Sequence, residues 1–222
     1  MSDSPASQAR FVTFEGIEGS GKSTQLRRLH EWLRGLELNV TMTREPGGTE
    51  LGARIRALLL KPTSEPMAPI TELLLYTADR AQHLTETILP ALERGETVLC
   101  DRYVDATLAY QGYGRELGTE TIMELHRSAP LDRRPDRTLL FDLDAAVGLE
   151  RARERNRAAG LDVTEGRFED EALEFHERVR RGYRALAKAE PERFRLIDAG
   201  RSIDKVERAV RESIRDWWSA NG

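Results

Sequence analysis

Eight residues, Gly16-Ile-Glu-Gly-Ser-Gly-Lys-Ser23, constrain this chain more than any other stretch, because their spacing dictates the elements on either side. The pattern is G-x-x-x-x-G-K-S. Glycines let the backbone wrap so that successive N–H groups point at phosphate oxygens, where side chains would obstruct the approach. Lys22 can reach the terminal phosphates as a point charge, and the Ser23 hydroxyl can ligate Mg²⁺. The flanks agree with the loop. Phe11-Val-Thr-Phe-Glu15 alternates like a strand, and Thr24 to Leu36 carries Leu26, Leu29, Leu33 and Leu36 at helical spacing. Strand, glycine loop and helix together aim a helix N-terminus at an anion. Glu18 is the odd residue. An acid where phosphate binds is expected to point away, toward something else.

Short apolar runs alternate with helical patterns along all 222 residues, which predicts an α/β fold with a mainly parallel sheet covered on both faces. Asn39-Val-Thr-Met-Thr43, Thr97-Val-Leu-Cys100, Arg137 to Leu143 and Phe194-Arg-Leu-Ile-Asp198 read as the other strands. Thr49 to Leu60 reads as a helix, and Lys61 to Pro69, with three prolines, as an irregular loop. Ile70, Leu73, Leu74, Thr77, Ala81, Leu84 and Ile88 mark one face of a long helix ending near Gly95. Two helices are expected between Arg102 and Arg137, and others over Ala145 to Arg155, over Glu169 to Ala189 and through Ile203, Val206, Val210, Ile214 and Trp217. Residues 1–10 read as a disordered tail and 11–222 as one domain. The arginine-rich stretch 151–167 is, on composition alone, either a mobile lid (about 151–168) or a solvated helix face.

Composition narrows the class. Hydrophobic residues at 39% and charged residues at 32% describe a soluble globular chain, and no run approaches the ~18 apolar residues of a membrane span. A net charge of −4 argues against a general nucleic-acid binder. The polar N-terminus lacks an apolar signal region, and the single Cys100 excludes an intramolecular disulfide, which suits a reducing cytoplasm.

Ligands of open parallel sheets bind at the carboxyl ends of the strands. That rule gathers Gly16 to Ser23, Arg44 to Gly48, Asp101-Arg102 and the region after Leu143 on one edge. Asp101 ends an apolar strand, where it reads either as the carboxylate that holds Mg²⁺ or as a turn cap. Arg102 is poorly explained by packing and suits an anion clamp. Neither N-K-x-D nor D-x-x-G occurs, so the switch-GTPase reading fails. What remains is a small kinase with two nucleotide-sized sites and an arginine-bearing lid. Another nucleotide kinase with a different acceptor, or a regulatory protein that holds ATP without turnover, stays open at this point.

Phe14-Glu-Gly-Ile-Glu-Gly-Ser-Gly-Lys-Ser23, Thr43-Arg-Glu-Pro-Gly-Gly48, Asp101-Arg-Tyr103, Ala109-Tyr-Gln-Gly112 and Pro135-Asp136 resemble, in order, the motifs of bacterial thymidylate kinases. The resemblance runs from Phe11 to about Trp218. It implies a three-layer P-loop NTPase fold with a five-stranded parallel sheet, transfer of the ATP γ-phosphoryl group to dTMP with Mg²⁺, and a homodimer. It further implies that Gly16, Ile17, Glu18, Gly19, Ser20, Gly21, Lys22, Ser23 and Thr24 bind ATP, with Ser23 and Asp101 at the metal. Glu18 then accepts a hydrogen bond from the dTMP 3′-hydroxyl, Tyr76 stacks on thymine and Arg80 binds its O4. Arg44, Arg56 and Arg102 contact the acceptor phosphate, Thr107 and Gln111 the thymine edge, and Tyr110 disfavours a ribose 2′-hydroxyl. Relatives carry a catalytic arginine either in the P-loop or in the lid. No arginine lies between Gly16 and Lys22 here, so Lys22, Arg102 and a lid arginine are the implied catalytic set. Arg155 is the first choice, with Arg153 and Arg151 beside it.

Overall fold

The computed structural model describes residues 9–62, 66–127, 132–160 and 166–220. β1 (Phe11–Glu15) is buried along its whole length, as a central strand covered on both faces must be. Around it stand β2 (Val40–Arg44), β3 (Thr97–Asp101), β4 (Arg137–Asp142) and β5 (Phe194–Asp198). Every pairing is parallel, in the order β2-β3-β1-β4-β5. The register sets Phe14 beside Asp101 and Glu15 beside Leu140. Connections from β1 lead toward β2 and those from β4 toward β5, which opens a crevice above the carboxyl ends of the central strands.

The helices are α1 (Lys22–Arg34), α2 (Glu50–Leu60), α3 (Pro69–His83), α4 (Leu89–Glu93), α5 (Val104–Thr107), α6 (Thr119–Arg127), α7 (Ala145–Ala159), α8 (Leu173–Ala189) and α9 (Ile203–Ala220). A π-helical turn, Leu84–Ile88, joins α3 to α4, so the long helix expected up to Gly95 is one α–π–α run. A second, Leu108–Gly114, continues α5. One apolar core holds Phe14 stacked on Phe141 at 5.8 Å, with Leu29, Leu33, Val179 and Val210. The other holds Phe11, Leu73, Ile88, Val98 and Tyr103. Burying each such large apolar side chain stabilises the fold by about 2–3 kcal/mol. No described helix is long and apolar enough to cross a membrane.

Several local expectations meet a different structure. Leu36 is off the apolar face of α1: the helix ends at Gly35, and Leu36 stands exposed in the following turn. Ile70 and Leu74 are exposed as well, because α3 buries Glu72, Leu73, Asp79, Arg80 and His83 instead. Polar groups under the cleft occupy the face that hydrophobicity assigned elsewhere. Arg10, read as part of the tail, is buried against the Trp217 and Trp218 rings at 4.9 and 4.8 Å. The rest of that tail, 1–8, lies outside the described residues. α7 continues to Ala159, so the arginine-rich start of the expected lid is helix. Residues 161–165 lie outside the described residues, and Glu169 sits in a turn ahead of α8 rather than within it.

Candidate active site

A cleft of about 560 Å³ lies over the carboxyl ends of β1 and β3, within the size range of small-molecule sites. Gly19 (φ +69°) brings the loop against α7, where a Cβ would stand 2.1 Å from the Gly148 carbonyl oxygen. Gly21 (φ +84°) caps α1 without any side-chain hydrogen bond, and open space lies where its Cβ would be. No acid occupies the first turn of α1. The orphan N–H groups of that turn are therefore available to an anion at the cleft's edge. Gly16, Ile17 and Ser20 are buried behind the loop, with Ser20 Oγ donating to the Ile17 carbonyl at 2.9 Å.

Lys22 folds back on this loop, its Nζ donating to Ile17 O at 2.7 Å and to Ser20 Oγ at 3.3 Å. Burial, and then the nearby Arg102 charge, push its ammonium down to about 8. Ser23 Oγ donates to Asp101 Oδ2 at the mouth of the cleft. These are hard oxygen donors beside the phosphate cradle, a set that suits Mg²⁺ held by one or two protein oxygens plus phosphates. No cluster of three or more metal-ligating side chains exists among the described residues.

The unusual acid of the loop turns to the other half of the cleft. Glu18 Oε1 accepts from Arg102 Nη2 at 2.8 Å, and Oε2 from the Tyr110 hydroxyl at 2.6 Å, with His176 Nδ1 at 3.6 Å. Burial alone would raise this carboxyl, but Arg102, His176 and Lys22 hold it well below the usual carboxylate range. The Arg102 guanidinium also lies 4.7 Å above the Tyr110 ring. Burial works against its charge, yet Tyr110, Glu18, Tyr183 and Asp101 hold its proton more tightly than usual. Its backbone is left-handed (φ +71°), a conformation that costs a non-glycine residue about 1–2 kcal/mol.

Arg80 and Tyr76, one helical turn apart on α3, both line the cleft. Arg80 is fixed from behind: Nε donates to Glu45 Oε2 at 2.9 Å and Nη2 to Thr107 Oγ1 at 2.8 Å, and the guanidinium lies over Tyr103. Glu45 is held in turn by His83 Nδ1 at 2.9 Å, and His83 Nε2 by the Thr43 hydroxyl at 2.6 Å. Gln111 lines the cleft but its amide donates to buried Glu72 at 2.7 Å. Arg115 and Arg167 share that carboxylate at 3.2 and 2.7 Å, which ties the segment after residue 165 to α3. Arg44 and Arg56 line the side nearest α2; Arg56 donates to Pro46 O at 3.1 Å, while the Arg44 guanidinium bonds none of the described residues.

The arginines of α7 separate by helical face. Arg151 and Arg155, four residues apart, line the cleft with Asn156, Phe168 and Glu169. Arg155 is 57% exposed and donates to Asn156 Oδ1 at 2.8 Å and to Glu169 Oε1 at 3.3 Å. Arg153 is not among the lining residues; it donates to the Glu169 carbonyl at 2.7 and 3.0 Å. Eight cationic side chains thus face the cleft against four acids, although the chain as a whole carries −4. Such a pocket concentrates polyanions. Pro135-Asp136, by contrast, is away from it: Asp136 Oδ2 accepts the Phe11 N–H at 2.7 Å and anchors the start of β1.

Sequence reasoning overlooked Glu15, Glu45, His83, His176 and Arg27. Arg27 lines the cleft from the second turn of α1, and its place one turn beyond Ser23 was a usable signal. Glu15 and Glu45 lie within the motifs quoted above, but they and the two histidines meet their partners only through the crossovers, and local spacing does not pair them.

The family model "Thymidylate kinase" matches residues 14–210. The chain is similar to the thymidylate kinase of Desulfovibrio desulfuricans, 55% identical over 212 residues that cover 96% of this chain and 98% of that protein. It is similar to that of Solidesulfovibrio magneticus, 56% identical over 200 residues covering 90% and 96%. Among solved structures, a thymidylate kinase from Ehrlichia chaffeensis superposes with a TM-score of 0.74 at 34% identity, covering 93% of this chain and 98% of that one.

Proposed function

Because this chain belongs to the thymidylate kinase family and phosphorylates dTMP to dTDP, we propose that its cleft seats ATP on the P-loop side and dTMP beside α3 and Leu108–Gly114. One observation carries this division: Glu18, inside the phosphate loop, turns its carboxylate away from the cradle to Arg102 and Tyr110. On the donor side the orphan N–H groups of α1 and Lys22 take the phosphates. Ser23 and Asp101 fit Mg²⁺, which when bound neutralises phosphate charge.

On the acceptor side, Glu18 accepts the 3′-hydroxyl and Tyr76 offers an aromatic face to thymine. Arg80 is donor-only, so it favours the O4 acceptor of thymine over the amino group of cytosine. Thr107 and Gln111 contribute through Arg80 and Glu72 as much as by direct contact. The Tyr110 ring walls the sugar. Arg44 and Arg56 take the acceptor phosphate, and Arg102 reaches both it and the transferred group. The attacking phosphate oxygen is already anionic, so the reaction needs alignment, charge neutralisation and water exclusion rather than a strong base. Arg155 supplies the last positive charge from α7, at the start of the stretch (about 151–168) expected to act as a lid.

Exposed Leu51 and Leu58 on α2 and Ile70 and Leu74 on α3 suit a homodimer interface, as the family resemblance implies. Sedimentation at micromolar concentration is expected to return twice the 25.2 kDa chain mass. The single buried Cys100 suits a cytoplasmic enzyme. The division of the cleft is tested by ADP release from ATP with dTMP, dUMP, dCMP, dGMP, UMP and thymidine in parallel. dTMP is expected to lead, dCMP to fail at the base and UMP at the sugar; equal turnover of dCMP would remove Arg80 from its role.

A further inference from the structure

Arg102 holds a left-handed backbone that nothing in its own side chain favours, so something outside it must hold the turn. Its own N–H donates to Phe14 O at 3.0 Å, and its carbonyl accepts from Cys100 Sγ at 3.0 Å. The next N–H, that of Tyr103, donates to Glu15 Oε1 at 2.7 Å. The second oxygen of Glu15 accepts the Tyr183 hydroxyl at 2.9 Å. Glu15 is fully buried, so it cannot touch either nucleotide. It stands between the first residue of the phosphate loop and the turn that presents Arg102. Tyr183 brings in α8, the helix that follows the arginine-bearing segment.

We propose that Glu15 is a positioning residue for phosphoryl transfer: its carboxyl group fixes the Arg102–Tyr103 turn against β1, and Tyr183 fixes that carboxyl group. The proposal rests on the reading of Arg102 as a group that acts on the transferred phosphoryl. Misplacing a reactive group by about 1 Å can cost ~10²-fold in rate, so the effect belongs in kcat.

The test is a double-mutant cycle by steady-state kinetics, with Glu15→Ala, Glu15→Gln and Tyr183→Phe each made alone and with Arg102→Ala. Glu15→Ala is expected to lower kcat by roughly 30–100-fold with the ATP KM within about twofold. Glu15→Gln keeps an oxygen for the Tyr103 N–H and is expected to recover kcat to within about fivefold of wild type. In the Arg102→Ala background, Glu15→Ala should cost less than about twofold more. A full further loss there, or wild-type kcat in Glu15→Ala, overturns the proposal. Wild-type turnover of Arg102→Ala alone would instead overturn the reading of Arg102. Should Glu15→Ala fail to fold, the cycle with Tyr183→Phe decides. A loss of roughly 3–10-fold that vanishes in Arg102→Ala supports the proposal, and unchanged kcat overturns it.

Discussion

Replacing Glu18 by glutamine changes one charge and almost no volume, which makes it the cleanest probe of the divided cleft. The wild-type carboxylate, 11% exposed, accepts at 2.8 Å from Arg102 and at 2.6 Å from Tyr110. An amide has one oxygen. Directed at Arg102, it leaves an NH₂ facing the Tyr110 hydroxyl, which must then rotate to accept. Hydrogen bonds to a charged group contribute about 1.5–3 kcal/mol and neutral ones about 0.5–1.5. The bond that dTMP makes through its 3′-hydroxyl is expected to weaken by about 1–2 kcal/mol, roughly a 5–30-fold rise in the dTMP KM. The ATP KM should stay within about twofold, because the P-loop backbone is untouched. The assay is coupled ADP release at saturating ATP with dTMP varied, repeated with 3′-deoxy-dTMP. Wild type should discriminate strongly between the two acceptors and Glu18→Gln weakly. An unchanged dTMP KM, or undiminished discrimination, refutes the 3′-hydroxyl role.

Three further outcomes follow from the same geometry. Lys22, pushed down to about 8, carries its charge below that pH and loses it above, while bound phosphates favour the charged form. kcat/KM for ATP should therefore fall as pH rises through about 8 before kcat does, and calorimetry at pH 8.5 in buffers of different ionisation enthalpy should report proton uptake on ATP binding; no uptake contradicts the assignment. Arg155→Ala is expected to lower kcat by ~10–10²-fold and Arg153→Ala by less than about threefold, and the reverse order would contradict the facing of α7. Asp79 is buried, with one oxygen on the Gly47 N–H at 3.0 Å, and burial followed by Glu45 pushes its carboxyl up to about 6. The native state then keeps a proton that the unfolded chain has released, so stability falls between about pH 4 and 6 and stays lower above. Asp79→Asn should remove that fall and gain up to about 2–3 kcal/mol at pH 8; denaturant melts showing no gain sink the argument.

Much of this was legible in the residues because it is local. Phe11 to Leu33 announces strand, loop and helix through alternation, glycine placement and 3.6-residue spacing, and the structure has them there. The parallel sheet follows from the alternation of short apolar runs with helical ones. What local patterns could not yield is which side chains meet across crossovers. Glu15 reaches Tyr103 and Tyr183 over 88 and 168 residues of sequence, and Glu45 reaches His83 over 38. The face of the long helix that α3 begins was read only in part for the same reason: Leu73, Leu84 and Ile88 are buried as expected, but the buried side also carries Asp79, Arg80 and His83, which Glu45, Gly47 and Thr107 satisfy. Periodicity assigns such positions to solvent. Composition could not choose between a mobile lid and a solvated helix face for 151–167; as far as Ala159 the structure shows a helix, and its Arg151 and Arg155 line the cleft.

Arg102 is where the two halves of the cleft meet, so its contribution to the chemical step is the most direct test of the divided cleft. Rapid-quench single-turnover measurement of Arg102→Ala, with ATP and dTMP both saturating, isolates that step from binding and product release. The expected result is phosphoryl transfer slowed by ~10²-fold or more in a protein that still melts cooperatively and still binds ATP. Transfer at the wild-type rate would contradict the account.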